Sequence, residues 1–159
     1  MASLLHPSSA LIDTCVWVAY LMGVQPQCTE ITELFEACAR NGVTLLYAPT
    51  TLKDVFHIIP RQARRDAIAA GENVADVSFS PLAWAAVQKI TEIAAAAPQA
   101  LPECELAWML RSRHADLGNN LIVAAAETSG ADYVVTYDQA FISHYTPACV
   151  TPSQLLALL

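Results

Sequence analysis

The longest continuous pattern in the chain runs over residues 116–138, DLGNNLIVAAAETSGADYVVTYD. Leu117, Leu121, Ala124 and Ala125 recur near helical spacing, Gly130 is a stop signal, and Tyr133 to Thr136 is short, apolar and rich in β-formers. The pattern predicts one helix, one glycine turn and one buried strand, with Asp138 just past the strand's carboxyl end. A second apolar run, Ala10-Leu11-Ile12, ends in Asp13 and Thr14, after which Trp17, Tyr20 and Leu21 share a helical face. Asp13 thus marks another strand-to-helix junction. Residues 28–40 predict a helix with Ile31, Leu34, Phe35 and Cys38 inward, ended by Asn41-Gly42, and residues 43–47 a second buried strand. Ala48-Pro49-Thr50 opens a further helix whose apolar stripe is Leu52, Val55, Phe56 and Ile59, with Asp54 on it, and Pro60 is expected to break it. An Ala-rich helix follows over 81–97, with Trp84, Val87 and Ile90 to one side and Pro98 at its end. The next helix runs from Leu101-Pro102-Glu103 through Trp108 to Arg111. The last segment, 146–159, holds a strand at Ala148-Cys149-Val150 and a helix that Thr151 caps, with Pro152 in its first position.

This alternation of strand and helix predicts an α/β fold, a three-layer α/β/α arrangement with a mainly parallel central sheet. At 159 residues the chain reads as a single domain, 1–159. No internal repeat, low-complexity tract or Gly-rich phosphate loop occurs, so nucleotide binding by a P-loop or dinucleotide fold is not supported. Open α/β sheets bind ligands outside the carboxyl ends of their strands, which makes Asp13 and Asp138 candidates for chemistry. Each also has a plainer reading as a turn or helix cap. If their strands are neighbours, the two carboxylates share one edge, and like charges brought together there need a cation.

Charge and composition narrow the partners. With 15 acidic and 8 basic residues the formal net charge is -7, so any contact with a nucleic acid must use a local basic patch. The only dense basic run is RQARR at 61–65; Arg61, Arg64 and Arg65 either meet a phosphate backbone or form the solvated face of a short helix. Arg111 and Arg113, expected beside the acidic edge, are the second candidates for phosphate contacts. A hydrophobic fraction of 55% implies a large core or an apolar surface covered by a partner, so an obligate partner or homodimer is expected. Five cysteines without a Cys-x-x-Cys pair read as reduced thiols in a cytoplasmic protein. The four histidines lack the spacing of a zinc helix. Nothing approaches the ~20 apolar residues that span a bilayer, and MASLLHPSSALID lacks the basic start and long apolar run of a leader, so neither membrane insertion nor secretion is expected.

Four segments together resemble the PIN-domain family, metal-dependent nucleases that include the VapC-type toxins of bacterial toxin–antitoxin pairs. LIDTCVW resembles the family's opening strand with its first acidic residue, here Asp13. TLKDVFHII resembles the helix bearing the second, here Asp54. LIVAAAETSGADYVVTYDQAF resembles the closing helix-turn-strand, where Asp138 matches the last acidic position, and VTPSQLLALL the terminal strand and helix. The resemblance covers nearly the whole length. It implies a Mg²⁺- or Mn²⁺-dependent endoribonuclease, with RNA as substrate and an antitoxin protein as partner.

The chain departs from the family pattern at the start of the closing helix, where Asn119 takes the usual acidic position. Asn120 is compatible with the pattern. Asp116, three residues earlier, either swings into the same space or caps the helix. The resemblance implies Asp13, Asp54, Asp138 and Asp116 as catalytic and metal-binding carboxylates, with Asn119 offering an amide oxygen. Hard divalent ions prefer such oxygen donors. In a two-metal site, with ions ~3.5–4 Å apart, four carboxylates roughly balance the charge, whereas three favour one well-held ion and a weaker second. Thr14 and Thr136 either orient a ligand or water through their hydroxyls or serve only the local backbone. Two readings compete with the nuclease. A phospho-acceptor receiver domain also gathers carboxylates at strand ends, but Asp54 falls within a predicted helix and no Lys follows the later strands. A catalytically weak PIN-like domain that binds RNA or a partner protein fits the missing acidic residue and the acidic balance.

Overall fold

Four residues, Ser9–Ile12, form the central strand β1, and three of them are wholly buried because helices cover both faces of the sheet. The computed structural model describes residues 6–145 and 148–159; the first five residues of the N-terminal stretch, and residues 146–147 where the last segment was expected to start, lie outside them. β1 leads into α1 (Thr14–Leu21), α2 (Gln27–Asn41), β2 (Thr44–Tyr47), α3 (Pro49–Ala69), α4 (Ser80–Ile93) and the short β3 (Ala95–Ala96). There follow α5 (Leu101–Met109) with a 3₁₀ turn at Leu110–Ser112, α6 (Leu117–Ser129), β4 (Tyr133–Val135), α7 (Gln139–Tyr145), β5 (Cys149–Val150) and α8 (Pro152–Leu156). Gly42 and Gly130 end α2 and α6 with φ near 71° and 69°, a left-handed turn that only glycine enters without strain.

All strand pairs are parallel, in the order β3-β2-β1-β4-β5. Alternate side chains feed two apolar layers. Ala10, Ile12, Leu45 and Val135 pack with Val16, Trp17, Ile31, Leu34 and Leu155 on one face. Leu11, Val134 and Cys149 pack with Ile122, Ala125, Ala126 and Phe141 on the other. The result is the three-layer α/β/α arrangement. The chain builds the sheet outward from β1 to β3, then crosses back to β4, so the order reverses between β1 and β4. That reversal opens a crevice at the carboxyl ends of these two strands.

The structure differs from the sequence pattern along its helices, including α7, which the pattern did not announce. α3 does not break at Pro60 but continues to Ala69, so the basic run belongs to its second half. The proline removes one hydrogen bond, to the Phe56 carbonyl, and α4 packing alongside holds the helix together across the gap. α4 ends at Ile93 rather than residue 97, because Ala94 turns extended and Ala95–Ala96 pair with Leu46 and Tyr47. Trp84 is not inward: it is 63% exposed and stands edge-on to Phe56, while Ala83, Ala86 and Ile90 make the buried stripe. Leu117 is likewise exposed, and the inward face of α6 is Asn120 with Ile122 to Ala126. Among the described residues no helix is long and apolar enough to cross a membrane.

The starts of β1 and β4 are tied by Asp132, whose carboxylate accepts hydrogen bonds from Ser8 N (2.7 Å), Ser8 Oγ (2.9 Å) and Ser9 N (3.1 Å). The Ser8 N–H and the other donors hold this carboxyl below the usual carboxylate range. A depressed folded-state value adds stability above the ordinary value near 4 and loses it as pH falls through the folded one. Asp132→Asn is therefore expected to cost about 1 kcal/mol at neutral pH, the low end for charged hydrogen bonds because the site is exposed. In urea titrations the parent and variant should converge below about pH 4.

Candidate metal centre at the sheet switch point

Asp13 is the first residue past β1 and Asp138 the third past β4, so the register that pairs Ile12 with Val135 brings both carboxylates to one crevice. They line a hollow of about 480 Å³ with Thr14, Cys15 and Asn119, walled by Val18, Ala19, Val24 and Ile58. No Lys, Arg or His is among the lining residues.

Asp13 is 7% exposed. Its Oδ1 accepts from Thr14 N at 2.6 Å, capping α1, and its Oδ2 accepts from the Thr136 hydroxyl at 2.7 Å and from Cys15 Sγ at 3.1 Å. Burial pushes its carboxyl above the ordinary value, these three donors pull it back, and the charge of Asp138 pushes it up again. Thr136 is itself wholly buried and joins the pair, because its Oγ also accepts from Asp138 N at 3.0 Å. Asp138 caps α7 by accepting from Phe141 N at 3.0 Å and is exposed. Both carboxylates are therefore caps and members of the crevice at once; the two readings were never exclusive. Cys15, pushed up to about 12 by burial and by Asp13, stays a thiol and donates to that carboxylate.

The remaining candidates fall at graded distances from this pair. Asn119 lines the hollow from the first turn of α6. Asp116 caps that helix, accepting from Asn119 N at 2.8 Å, and is not a lining residue. Asn120 points into the fold, donating to the His114 carbonyl and accepting from Tyr145 Oη, so it anchors the helix start rather than facing the hollow. Asp54 lies on α3 between Thr51, which meets Thr14 Oγ1 at 3.4 Å, and Ile58, which lines the hollow; its side chain is 43% exposed and 4.0 Å from Lys53 Nζ. Helical spacing puts it on the rim. Arg111 stacks on the Trp108 ring and Arg113 faces the Tyr145 ring, and neither lines the hollow. Arg61 and Arg64 line a different hollow, between α3 and α4, and Arg65 is exposed beside them. Sequence reasoning missed Cys15 and Thr51. Thr51 was within reach, three residues before Asp54 on one helical face, whereas nothing marked the thiol.

The donor set suits a hard divalent ion. A carboxylate buried beside a second one, with no basic group on the lining, is a charge that the protein leaves uncompensated, and carboxylate and amide oxygens are the ligands such ions take. Among the described residues no three His, Cys, Asp or Glu side chains stand close enough to hold an ion together. Asp13 and Asp138 are the two carboxylates on the lining, with Asn119 beside them and Asp54 at the rim.

A parallel sheet flanked by helices on both faces, with two carboxylates at its switch point, defines an open α/β domain whose ligand edge is acidic. The PIN domain model matches residues 9–140, which takes in β1 through the start of α7, and the chain belongs to the PIN domain family. Among solved structures it is similar to the crystal structure of PAE2754 from Pyrobaculum aerophilum, at 15% identity and a TM-score of 0.62, over 98% of this chain and 96% of that one. That likeness concerns the fold alone. No curated protein matches the chain.

Two predictions test this geometry. Thr136→Val keeps the shape of the side chain but strips a donor from Asp13 and an acceptor from Asp138 N, so thermal unfolding should show a loss of about 1–3 kcal/mol. If Asn119 faces a bound ion, Asn119→Asp tightens Mn²⁺ binding in calorimetric titration and Asp116→Asn leaves it unchanged; the opposite pattern assigns Asp116 to the ion.

Proposed function

We propose that the chain is a Mg²⁺- or Mn²⁺-dependent endoribonuclease that hydrolyses RNA phosphodiester bonds, acting in the cytoplasm as the toxin of a toxin–antitoxin pair. The observation that carries this reading is the buried, uncompensated Asp13 carboxylate set beside Asp138 and Asn119 at the switch point of a PIN-type sheet. Asp13, Asp138 and Asn119, with Asp54 on the rim and Asp116 at the cap of α6, are the residues that would hold the metal. When bound, the metal supplies a nucleophilic water and stabilises the leaving oxygen.

The chain's own part is orientation. Thr136 fixes Asp13 Oδ2 and the Asp138 backbone, Thr14 N fixes Asp13 Oδ1, and Thr14 joins α1 to α3 through Thr51. Val18, Ala19, Val24 and Ile58 form an apolar wall that strengthens every charge interaction beside it. The toxin assignment draws on the family, and an antitoxin or a second copy of the chain has exposed apolar groups to cover on α5, Leu101, Trp108 and Met109.

One observation favours a second reading, a catalytically weak domain that binds RNA or a partner. Only two carboxylates line the hollow and the third family position is the neutral Asn119. Cleavage of RNA by purified protein against Mg²⁺ and Mn²⁺ concentration separates the two. The nuclease reading expects saturable, metal-dependent cleavage that Asp13→Asn and Asp138→Asn abolish and that Asp54→Asn reduces severely. Without metal, Asp13→Asn should unfold at the parent's temperature or slightly above, because it removes a buried charge and its repulsion with Asp138. Cleavage by Asp13→Asn at the parent's rate and metal dependence would remove that residue from the site.

A further inference from the structure

Building on the nuclease reading, we propose that the hollow between α3 and α4 is a nucleotide slot that seats one base of a single-stranded RNA together with its adjoining phosphate. The hollow encloses about 320 Å³, and its walls include Phe56, His57, Pro60, Arg61, Arg64 and Phe79.

The case rests first on where the chain leaves its cations. It has 8 Lys and Arg residues. Arg40 pairs with Glu36, Lys53 with Asp54 and Lys89 with Glu92. Arg111 lies 3.5 Å from the centre of the Trp108 ring, and Arg113 lies 5.7 Å from that of Tyr145. Arg61, Arg64 and Arg65 are what remain, and among the described residues they have no ion pair, hydrogen bond or ring contact. All three stand on the second half of α3. A chain of net charge -7 that concentrates its free guanidinium groups on one helix presents a single attractive face to a polyanion.

The second observation is what stands beside them. Two of the three arginines share their hollow with two phenylalanines and a histidine, and Phe56 is further flanked by the exposed Trp84 ring at 4.9 Å. Aromatic faces beside guanidinium groups are the chemistry that holds unpaired bases and their backbone. Bases within a duplex are stacked on one another and cannot enter a hollow of this size, so the occupant is a single strand.

Position is the third. Ile58 lines the metal hollow and Arg61 lines the slot; they are three residues apart on one helix, about 4.5 Å along its axis. One strand lying along α3 reaches both. The slot would thus hold a base near the bond to be cut, which an acidic protein otherwise has no means to grip.

Binding of a short fluorescein-labelled oligouridylate to the full chain, measured by anisotropy in EDTA so that nothing is cleaved, tests the proposal. The variant carrying Arg61→Gln and Arg64→Gln should bind more weakly and flatten the salt dependence by roughly 0.7 per lost contact. Phe79→Leu should weaken binding about tenfold with the salt slope unchanged. The parent should prefer the intact oligonucleotide over one with abasic sites and over duplex RNA. Parent-like affinity and slope in the arginine variant, whose side chains are exposed and whose folding is not in question, would overturn the slot. So would equal binding of intact and abasic strands with displacement by oligoglutamate, which would mark a surface for an acidic protein segment. Metal-dependent cleavage by the parent, measured on the same oligonucleotide, keeps the two readings apart. Cleavage with unaltered binding in the variants removes the slot and leaves the nuclease, whereas a parent that neither binds nor cleaves RNA removes both.

Discussion

The fold is arranged around a charge in a place that does not welcome one. Asp13 sits at the end of the most deeply buried strand, and its carboxylate survives there because Thr136, Cys15 and Thr14 N each donate to it. Those donors come from the start of α1 and from the residue that follows β4, so the hydrogen bonds that keep the charge also tie together the two sides of the crevice. Burying the Asp13 carboxylate beside Asp138 is costly, and no basic group lines the hollow to offset it.

Much of this was legible in the sequence because it depends on local rules. Gly42 and Gly130 announced two helix ends, and the short apolar runs ending in Asp13 and before Asp138 announced strands with carboxylates at the binding edge. That the two strands are neighbours was a condition of that reading, and the register meets it. Other features depend on tertiary contacts that no local pattern encodes. Pro60 reads as a breaker, yet a neighbouring helix holds α3 across it. Ala95 and Ala96 are good helix residues in an alanine-rich run, and only the free edge of β2 recruits them as a strand. Trp84 falls on helical spacing with Ile90, but the inward stripe belongs to the small Ala83 and Ala86, which let α4 approach closely. Cys15 looked like one thiol among five.

The unbroken α3 organises more of the surface than the pattern suggested. Its inward residues Val55 and Ile59 belong to the core, its buried Thr51 meets Thr14, its Ile58 lines the acidic hollow, and its Arg61 and Arg64 line another. One rigid element therefore sets the spacing between an acidic crevice and the chain's free cations. Ile58 and Arg61 lie three residues apart, so the two hollows open about one turn from each other along the same helix. Lys53, the one cation near the crevice, is turned to Asp54 at the rim.

The tie between Ser8 and Asp132 joins residues 124 apart in the chain, and the pairing of β1 with β4 is similarly long in range. Such contacts close late, because the loop between them must be gathered first. During synthesis the opening strand and its carboxylate leave the ribosome long before the residues that complete the crevice. A nascent chain thus carries half of an acidic site and none of its partner strand. Whatever the crevice does, it can begin only once β4 has been made and paired with β1, so no shorter stretch of the chain carries the complete site.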